Sequence, residues 1–351
     1  VALRRLPPAP PDTLVRAGAA VLAALPELLA ADGAGLHERC ASEEPLLAGV
    51  ANAAATYLWE QQGRPDRALS TAERSLAAFQ GQETPWPLLI GHTRVADLHL
   101  RAGRGAAALP HLDAAMRVLD GIGIRHETLG VRLGMVLAHL QTGALDAAER
   151  QLAAVEPDQP ADAVDVRSYH LAVRAEILLA RGQVEAGLRT WRRVARLVRE
   201  TVDSGDMTAL EAWALEVEAA TVIAHVRHGR LDLVARLADE LPARLSTLLA
   251  ALAGNRAYLT ALPIGGALLL ALATVDLDRG AAASGARLTA LAERFHFIRD
   301  FRPTMAYEYA FEAAEQADKA AYLDAVSTYA ALTGDQLPEA ALAALRERAQ
   351  A

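Results

Sequence analysis

A glycine-centred pattern returns about every 40 residues along this chain of 351 residues. In each copy a long amphipathic segment ends at a glycine, and a second segment follows that opens with an acidic or small residue and then an alanine. The copies read G-R-P-D-R-A, G-R-G-A-A-A, G-A-L-D-A-A, G-Q-V-E-A-G, G-R-L-D-L-V and V-D-L-D-R-G, and they start at Gly63, Gly103, Gly143, Gly182, Gly229 and Val275. A fixed period of this length indicates a repeat architecture.

The residues around each anchor glycine predict an antiparallel hairpin of two helices. Glycine adopts the left-handed conformation that ends a helix without steric cost. The acidic residue three positions later would lie in the first turn of the second helix, where it meets the positive end of the helix dipole. Small residues mostly stand five positions after the anchor and would let the two helices approach closely: Ala68, Ala108, Ala148, Gly187, Val234 and Gly280. The sixth copy has valine in place of the anchor glycine.

Composition predicts helix throughout and argues against several classes of partner. The chain is 52% apolar, only 5% aromatic and rich in alanine and leucine, without long alternating β-branched runs. The net charge of −8 predicts no direct binding to nucleic acid.

A single cysteine, Cys40, is compatible with a reducing compartment, and no apolar run is long enough to span a bilayer. We therefore expect a cytoplasmic chain without a membrane partner. Because it opens without methionine, we expect a fragment or a processed product.

The pattern divides the chain into three predicted parts, all of them α-helical. An extended segment with capping helices is expected over 1–45, six helix hairpins over 46–295, and C-terminal capping helices over 296–351. The sixth hairpin is expected to pair 262–274 with 277–295, and the caps to be helices over 304–317, 319–333 and 338–349. Terminal repeats are atypical because they must seal an exposed core with a polar face. The predicted architecture is thus an α-solenoid.

No catalytic or cofactor motif is found. A P-loop, a His-Glu-x-x-His zinc motif and a Gly-x-Ser-x-Gly elbow are all missing from the sequence. His99, His139 and His225 each stand four positions before an anchor, but packed helices about 8–10 Å apart separate such side chains too far for one zinc ion. We interpret them as packing residues where helices meet, and predict no metal, no cofactor and no enzymatic activity. An all-helical lyase or glycosidase is an alternative, although the clustered aspartates or facing carboxylates it requires were not found.

Two family resemblances are carried by particular residues. Gly103, Ala108 and Ala115 match the small-residue spacing of the tetratricopeptide repeat, with a longer period. The runs E-T-P-W from Glu83, L-x-x-G-A-L-D-A-A-E-R from Leu140, A-E-I-L-L-A-R-G-Q-V-E-A-G-L from Ala175 and D-L-D-R-G-A-A-A-S-G-A-R-L-T-A-L-A-E-R from Asp276 resemble the C-terminal helical-repeat region of bacterial STAND-class transcriptional regulators, which carry an NB-ARC-type ATPase and a DNA-binding domain. The F-H-F run at 295–297 departs from that family.

The resemblance implies a right-handed superhelix whose concave face binds a protein, a neighbouring domain or an inducer. The chain would then be the non-catalytic sensor and interaction arm of a transcriptional regulator, acting on its upstream ATPase and DNA-binding domains. The alternative is a free-standing tetratricopeptide-like adaptor that binds a partner peptide. Carrying the family's register over places these residues on the concave face: Tyr57, Gln61, Asp97, Arg101, Gln141, Tyr169, Glu176, Glu216 and Arg227, with Leu137 and Ile223 sharing the lining.

Overall fold

The computed structural model describes residues 44–81, 85–123, 128–155, 164–203, 212–254, 261–332 and 336–350. Within these ranges the regular structure consists of fourteen α-helices and one short 3-10 helix, without a strand, which confirms the all-α prediction. The N-terminal segment, its expected helices and Cys40 lie outside the described residues.

The helices follow one another along the chain with short turns inside each hairpin. They are α1 (Pro45–Gln61), α2 (Pro65–Phe79), α3 (Pro85–Arg101), α4 (Gly105–Ile122), α5 (Thr128–Gln141), α6 (Leu145–Ala153), α7 (Val164–Ala180), α8 (Val184–Asp203), α9 (Ala212–Arg227), a 3-10 turn (Leu231–Val234), α10 (Ala235–Gly254), α11 (Ala261–Asp278), α12 (Ala282–Arg294), α13 (Tyr307–Ala330) and α14 (Leu337–Gln350). The odd-numbered helices α1 to α11 are the first helices of the six hairpins.

The five predicted anchor glycines all end a first helix in the left-handed conformation. Their φ angles are 65° at Gly63, 71° at Gly103, 74° at Gly143, 74° at Gly182 and 63° at Gly229. At Gly103 the glycine N–H donates to Leu100 O at 2.8 Å, and the next N–H donates to His99 O at 2.8 Å. This double closure satisfies carbonyls that the helix end would otherwise leave without a partner.

The sixth anchor is Gly280, so the prediction of Val275 was wrong. Gly280 has φ 82°, and the N–H of Ala281 donates to Asp276 O at 2.8 Å, as in the other turns. Helix α11 therefore runs on to Asp278, and the small residue five positions after the anchor is Gly285 rather than Gly280. The register slipped because the fifth hairpin is longer than the others: a 3-10 turn precedes its second helix, which has 20 residues.

Small residues bring the helices of a hairpin together, as the pattern predicts. Ala68, Ala108 and Ala148 are fully buried. A Cβ atom added at Gly187 would lie 2.7 Å from the Leu179 side chain, and one at Gly285 would lie 2.5 Å from Leu277 Cγ. These distances leave no room for a larger side chain unless a neighbour moves, which explains the preference for alanine and glycine.

Two glycines of α4 offer a test of this close packing. A Cβ atom at Gly105 would lie 2.5 Å from the backbone oxygen of Ala138, whereas one at Gly121 would meet nothing within 4 Å. We expect Gly105→Ala to lower the free energy of unfolding by about 1–3 kcal/mol because the backbone of α5 must shift. We expect Gly121→Ala to raise it by up to about 1 kcal/mol through helix propensity. Urea denaturation of both variants measures the difference, and effects of the same sign would contradict the assignment.

The C-terminal helices differ from prediction at the start of the first helix and at the end of the second, which stops at Ala330 rather than at residue 333. Asp318 interrupts α13 with φ −157° and ψ 86°, and its carboxylate accepts the N–H of Ala321 at 3.0 Å. The predicted break between helices at 317–319 is therefore confirmed. The first of these helices begins at Tyr307 rather than at residue 304, because residues 295–306 form a non-helical segment.

The chain divides into two compact units. The first comprises Val1–Glu60, Arg64–Leu98 and Pro110–Val131, and the second comprises Gln61–Gly63, His99–Leu109 and Arg132–Ala351. In the first unit, Ala68, Ala72 and Leu76 of α2 pack on Val95 and Leu98 of α3. In the second, α7 packs on α8, α9 on α11, and α12 on both α11 and α13. The three predicted parts of the chain stay a prediction.

Candidate functional site

Several residues predicted for the concave face lie, in the second unit, against a segment of the same chain. We call residues 295–306 the inner segment; it connects α12 to α13. Its residues Phe295, Phe297, Phe301 and Met305 are almost completely buried. The segment therefore belongs to the core, and the following contacts show how the first helices hold it.

Gln141, at the C-terminal end of α5, binds the backbone of the inner segment. Its side-chain amide donates to Arg299 O at 3.2 Å and to Asp300 O at 3.4 Å, and also to Leu100 O at 2.9 Å. In return, the N–H of Arg299 donates to the carbonyl of Arg101 at 3.1 Å. Two of the residues predicted for the concave face, Gln141 and Arg101, thus bind the main chain of the inner segment.

An aromatic cluster holds the middle of the inner segment. Phe301 is fully buried, with its ring centroid 5.2 Å from that of Trp191 in a perpendicular arrangement and 5.3 Å from that of Tyr169. Tyr169, a predicted inner-face residue of α7, also donates from its hydroxyl to Asp300 Oδ2 at 3.3 Å. Edge-to-face aromatic contacts of this kind add to the stabilisation from burial alone.

Glu176, about two helical turns along α7 from Tyr169, is a fully buried carboxylate. It accepts hydrogen bonds from the N–H of Thr304 at 2.8 Å, the hydroxyl of Thr304 at 2.5 Å and the indole N–H of Trp191 at 2.9 Å. Burial raises the pKa of Glu176, while the hydrogen bonds from Thr304 and Trp191 oppose that shift. While the inner segment is in place, Glu176 has no surface to offer a partner.

Arg227, at the end of α9, also binds the inner segment. Its guanidinium donates to the carbonyls of Pro303 and Thr304, the latter at 2.8 Å, and lies 3.6 Å from the ring centroid of Tyr309. Glu216, also predicted for the inner face, is buried on α9. The structure therefore brings Gln141, Tyr169, Glu176 and Arg227 together, and what they contact is the chain itself.

In the first unit, two large apolar side chains are exposed to solvent. Tyr57 of α1 and Ile90 of α3 are 37% and 54% exposed. Ile90 stands one helical turn before Arg94 on α3. The Arg94 guanidinium lies 4.3 Å from the Tyr57 ring centroid, pairs with Asp97 at 2.7 Å and also pairs with Glu60. We call Tyr57, Ile90, Arg94 and Asp97 the Ile90 patch. The side chain of Gln61 lies outside the described part of the structure.

The inner segment was not predicted, although the sequence carries a signal for it. The chain has only five phenylalanines, and three of them fall between residues 295 and 301. So dense a cluster in a chain with few aromatic residues indicates a buried anchor. Arg94 was also missed, because the register used for the inner face did not include its position.

Histidines at the hairpin turns do not form a metal site in the described part of the chain. No group of three histidine, cysteine, aspartate or glutamate side chains there is placed to hold a metal ion. His225 is instead fully buried, with Nδ1 2.7 Å from Thr221 O and Nε2 3.0 Å from an Arg192 nitrogen. Because arginine only donates, Nε2 is the acceptor and Nδ1 carries the proton.

No described helix is both long enough and apolar enough to cross a membrane. Comparison of the chain with known proteins found no matching family, no matching curated protein and no matching solved structure.

Proposed function

We propose that this chain is a non-catalytic protein-interaction arm, built as a right-handed tetratricopeptide-like superhelix of helix hairpins. One observation carries the proposal: the first helices α5, α7 and α9 already bind a non-helical stretch of polypeptide, the inner segment, through hydrogen bonds to its main chain and side chains. A face that binds polypeptide in this way within one chain supports the binding of polypeptide from a partner at equivalent positions of other hairpins.

The Ile90 patch is the place where that partner binds. It combines the exposed side chains of Tyr57 and Ile90 with the partly exposed carboxylate of Asp97, while Arg94 is mostly buried against its two carboxylate partners, so it offers apolar area beside a negative charge. Exposed apolar side chains that lie together mark interaction surfaces. The acidic chain, at net charge −8, favours a protein over a nucleic acid as the partner.

The arm acts in the cytoplasm as part of a transcriptional regulator, where it restrains upstream ATPase and DNA-binding domains of the same polypeptide. The resemblance of the repeat runs to STAND-class regulators supports this role. The reading frame upstream of Val1 is the first test. A nucleotide-binding P-loop and a DNA-binding domain there would support the regulator, and their lack would favour a free-standing adaptor.

Ile90→Asp is expected to weaken the binding of the upstream domains at least about tenfold, because it replaces the most exposed apolar side chain of the patch with a charge. The two parts are produced separately and mixed, and their affinity is measured by isothermal titration calorimetry. Leu323→Asp is the matched control, since Leu323 of α13 is 52% exposed, against 54% for Ile90. Equal affinity of Ile90→Asp and the unmodified chain would remove the patch from the interface.

A further inference from the structure

A cavity of about 200 Å³ lies beside the inner segment in the second unit. Its walls include Ile223 and Val226 of α9, Leu270 and Leu277 of α11, and Ala310 of α13. Thr304 and Ala306 of the inner segment also line it. The cavity is therefore built from three helices and the segment that they hold.

The chemistry of the walls favours an apolar occupant. Among the polar side chains, the Thr304 hydroxyl donates to Glu176 at 2.5 Å and the Thr274 hydroxyl donates to Ala271 O at 2.8 Å, so both donors are already used. Arg227 lies at the side, bound to backbone carbonyls and stacked on Tyr309, and disfavours a cation. Asp278, exposed at the mouth, disfavours an anion. An uncharged molecule is repelled by neither Arg227 nor Asp278.

We propose that this cavity is a binding site for a small, uncharged, mostly apolar molecule about the size of one or two fused rings. An apolar protein cavity of about 150 Å³ takes up benzene or xenon, because such a space holds water poorly. The cavity here is larger than that and is bounded by aliphatic side chains with one aromatic ring, Tyr309, at its edge. Pockets of this composition suit ligands held by contact area more than by hydrogen bonds.

The ligand stabilises the inner segment in the arrangement in which Thr304 is bound to Glu176 and Arg227. Thr304 and Ala306 contact the cavity directly, and Thr304 is the residue that Glu176 and Arg227 hold. A molecule that binds only while these residues are in place favours the folded arrangement of the segment by mass action. The site is independent of the protein-binding proposal, since no residue of the Ile90 patch lines the cavity.

Indole is a suitable probe because it is apolar, uncharged and of the right size. We expect calorimetric titration of the intact chain with indole to give saturable binding of about one molecule per chain, as one cavity of this size can hold one such molecule. Ala313 is an exposed alanine at the edge of the cavity. The variant Ala313→Phe places a large side chain across the opening and should weaken indole binding at least about tenfold. Ala320→Phe, at an exposed alanine of the same helix outside the lining, should leave it unchanged.

Hydrogen exchange of the unmodified chain gives a second readout that depends on no substitution. Indole should slow exchange of the Thr304 and Met305 amides, whose hydrogen bonds to Glu176 and Phe301 fix the inner segment. Residues 44–60 should show no change. The proposal is overturned if indole does not saturate, if Ala313→Phe binds as well as the unmodified chain, if Ala320→Phe weakens binding equally, or if protection does not include the inner segment.

Discussion

Replacing Phe301 with alanine is expected to lower the free energy of unfolding of the second unit by about 3–5 kcal/mol, the usual cost of a fully buried phenylalanine. The ring is completely buried between Trp191 and Tyr169. Its removal leaves a cavity and also loosens the neighbours of Thr304, on which the hydrogen bonds to Glu176 depend. Urea denaturation followed by circular dichroism measures the change.

Phe311→Ala is the control for this experiment. Phe311 of α13 makes a similar perpendicular aromatic contact, with the Tyr322 ring centroid at 5.4 Å, but its side chain is only partly buried. Since the loss scales with buried volume, we expect a clearly smaller effect there. A Phe301→Ala variant that loses no more stability than Phe311→Ala would show that the inner segment is not an integral part of the core.

The hairpin turns could be predicted from the sequence because their cause is local. Gly103 must take a positive φ to end α3, and Ala108 must be small for α4 to approach α3. Each requirement selects one kind of residue, and the two positions stand at a constant sequence interval in every hairpin. The sixth turn was predicted at the wrong position because the repeat interval changes there. Gly280 and Gly285 show the expected glycine and small residue, but the longer fifth hairpin displaces them from the expected interval.

The inner segment could not be predicted in the same way. It has no helical period, and its contacts join residues far apart in sequence, such as Thr304 with Glu176, 128 positions away. Periodicity places Glu176 on one face of α7, but it carries no information about what covers that face. A glutamate at such a position reads as a solvated side chain, and only the tertiary arrangement shows it to be a buried acceptor with three donors.

Two buried groups of α9 are expected to give the stability of the second unit opposite dependences on pH. Burial lowers the pKa of His225 to about 4, from 6.5, and the neighbouring Arg192 adds to this shift while the hydrogen bond to Thr221 opposes it. As pH falls from 6.5 to 4, the unfolded chain takes up a proton that the folded protein does not. Since one pKa unit corresponds to about 1.4 kcal/mol, this group should remove about 3 kcal/mol over that range.

Glu218 acts in the opposite direction. Burial raises its pKa to about 7, from 4.5, against the opposing effect of Arg244, which lies 3.1 Å away. Below pH 4.5 the carboxyl is protonated in both states. As pH rises from 4.5 to 7, the unfolded chain releases the proton while the folded protein retains it, so the free energy of unfolding falls by about 3 kcal/mol.

His225→Gln and Glu218→Gln separate the two effects, because glutamine does not titrate in this range. Urea denaturation at a series of pH values between 4 and 7.5 gives the free energy of unfolding of each variant relative to the unmodified chain. The advantage of the unmodified chain over His225→Gln should shrink as pH falls below 6.5, as its buried imidazole resists protonation. Relative to the unmodified chain, Glu218→Gln should become more stable as pH rises above 4.5. Differences that stay constant with pH would mean that neither group is held in its neutral form by burial.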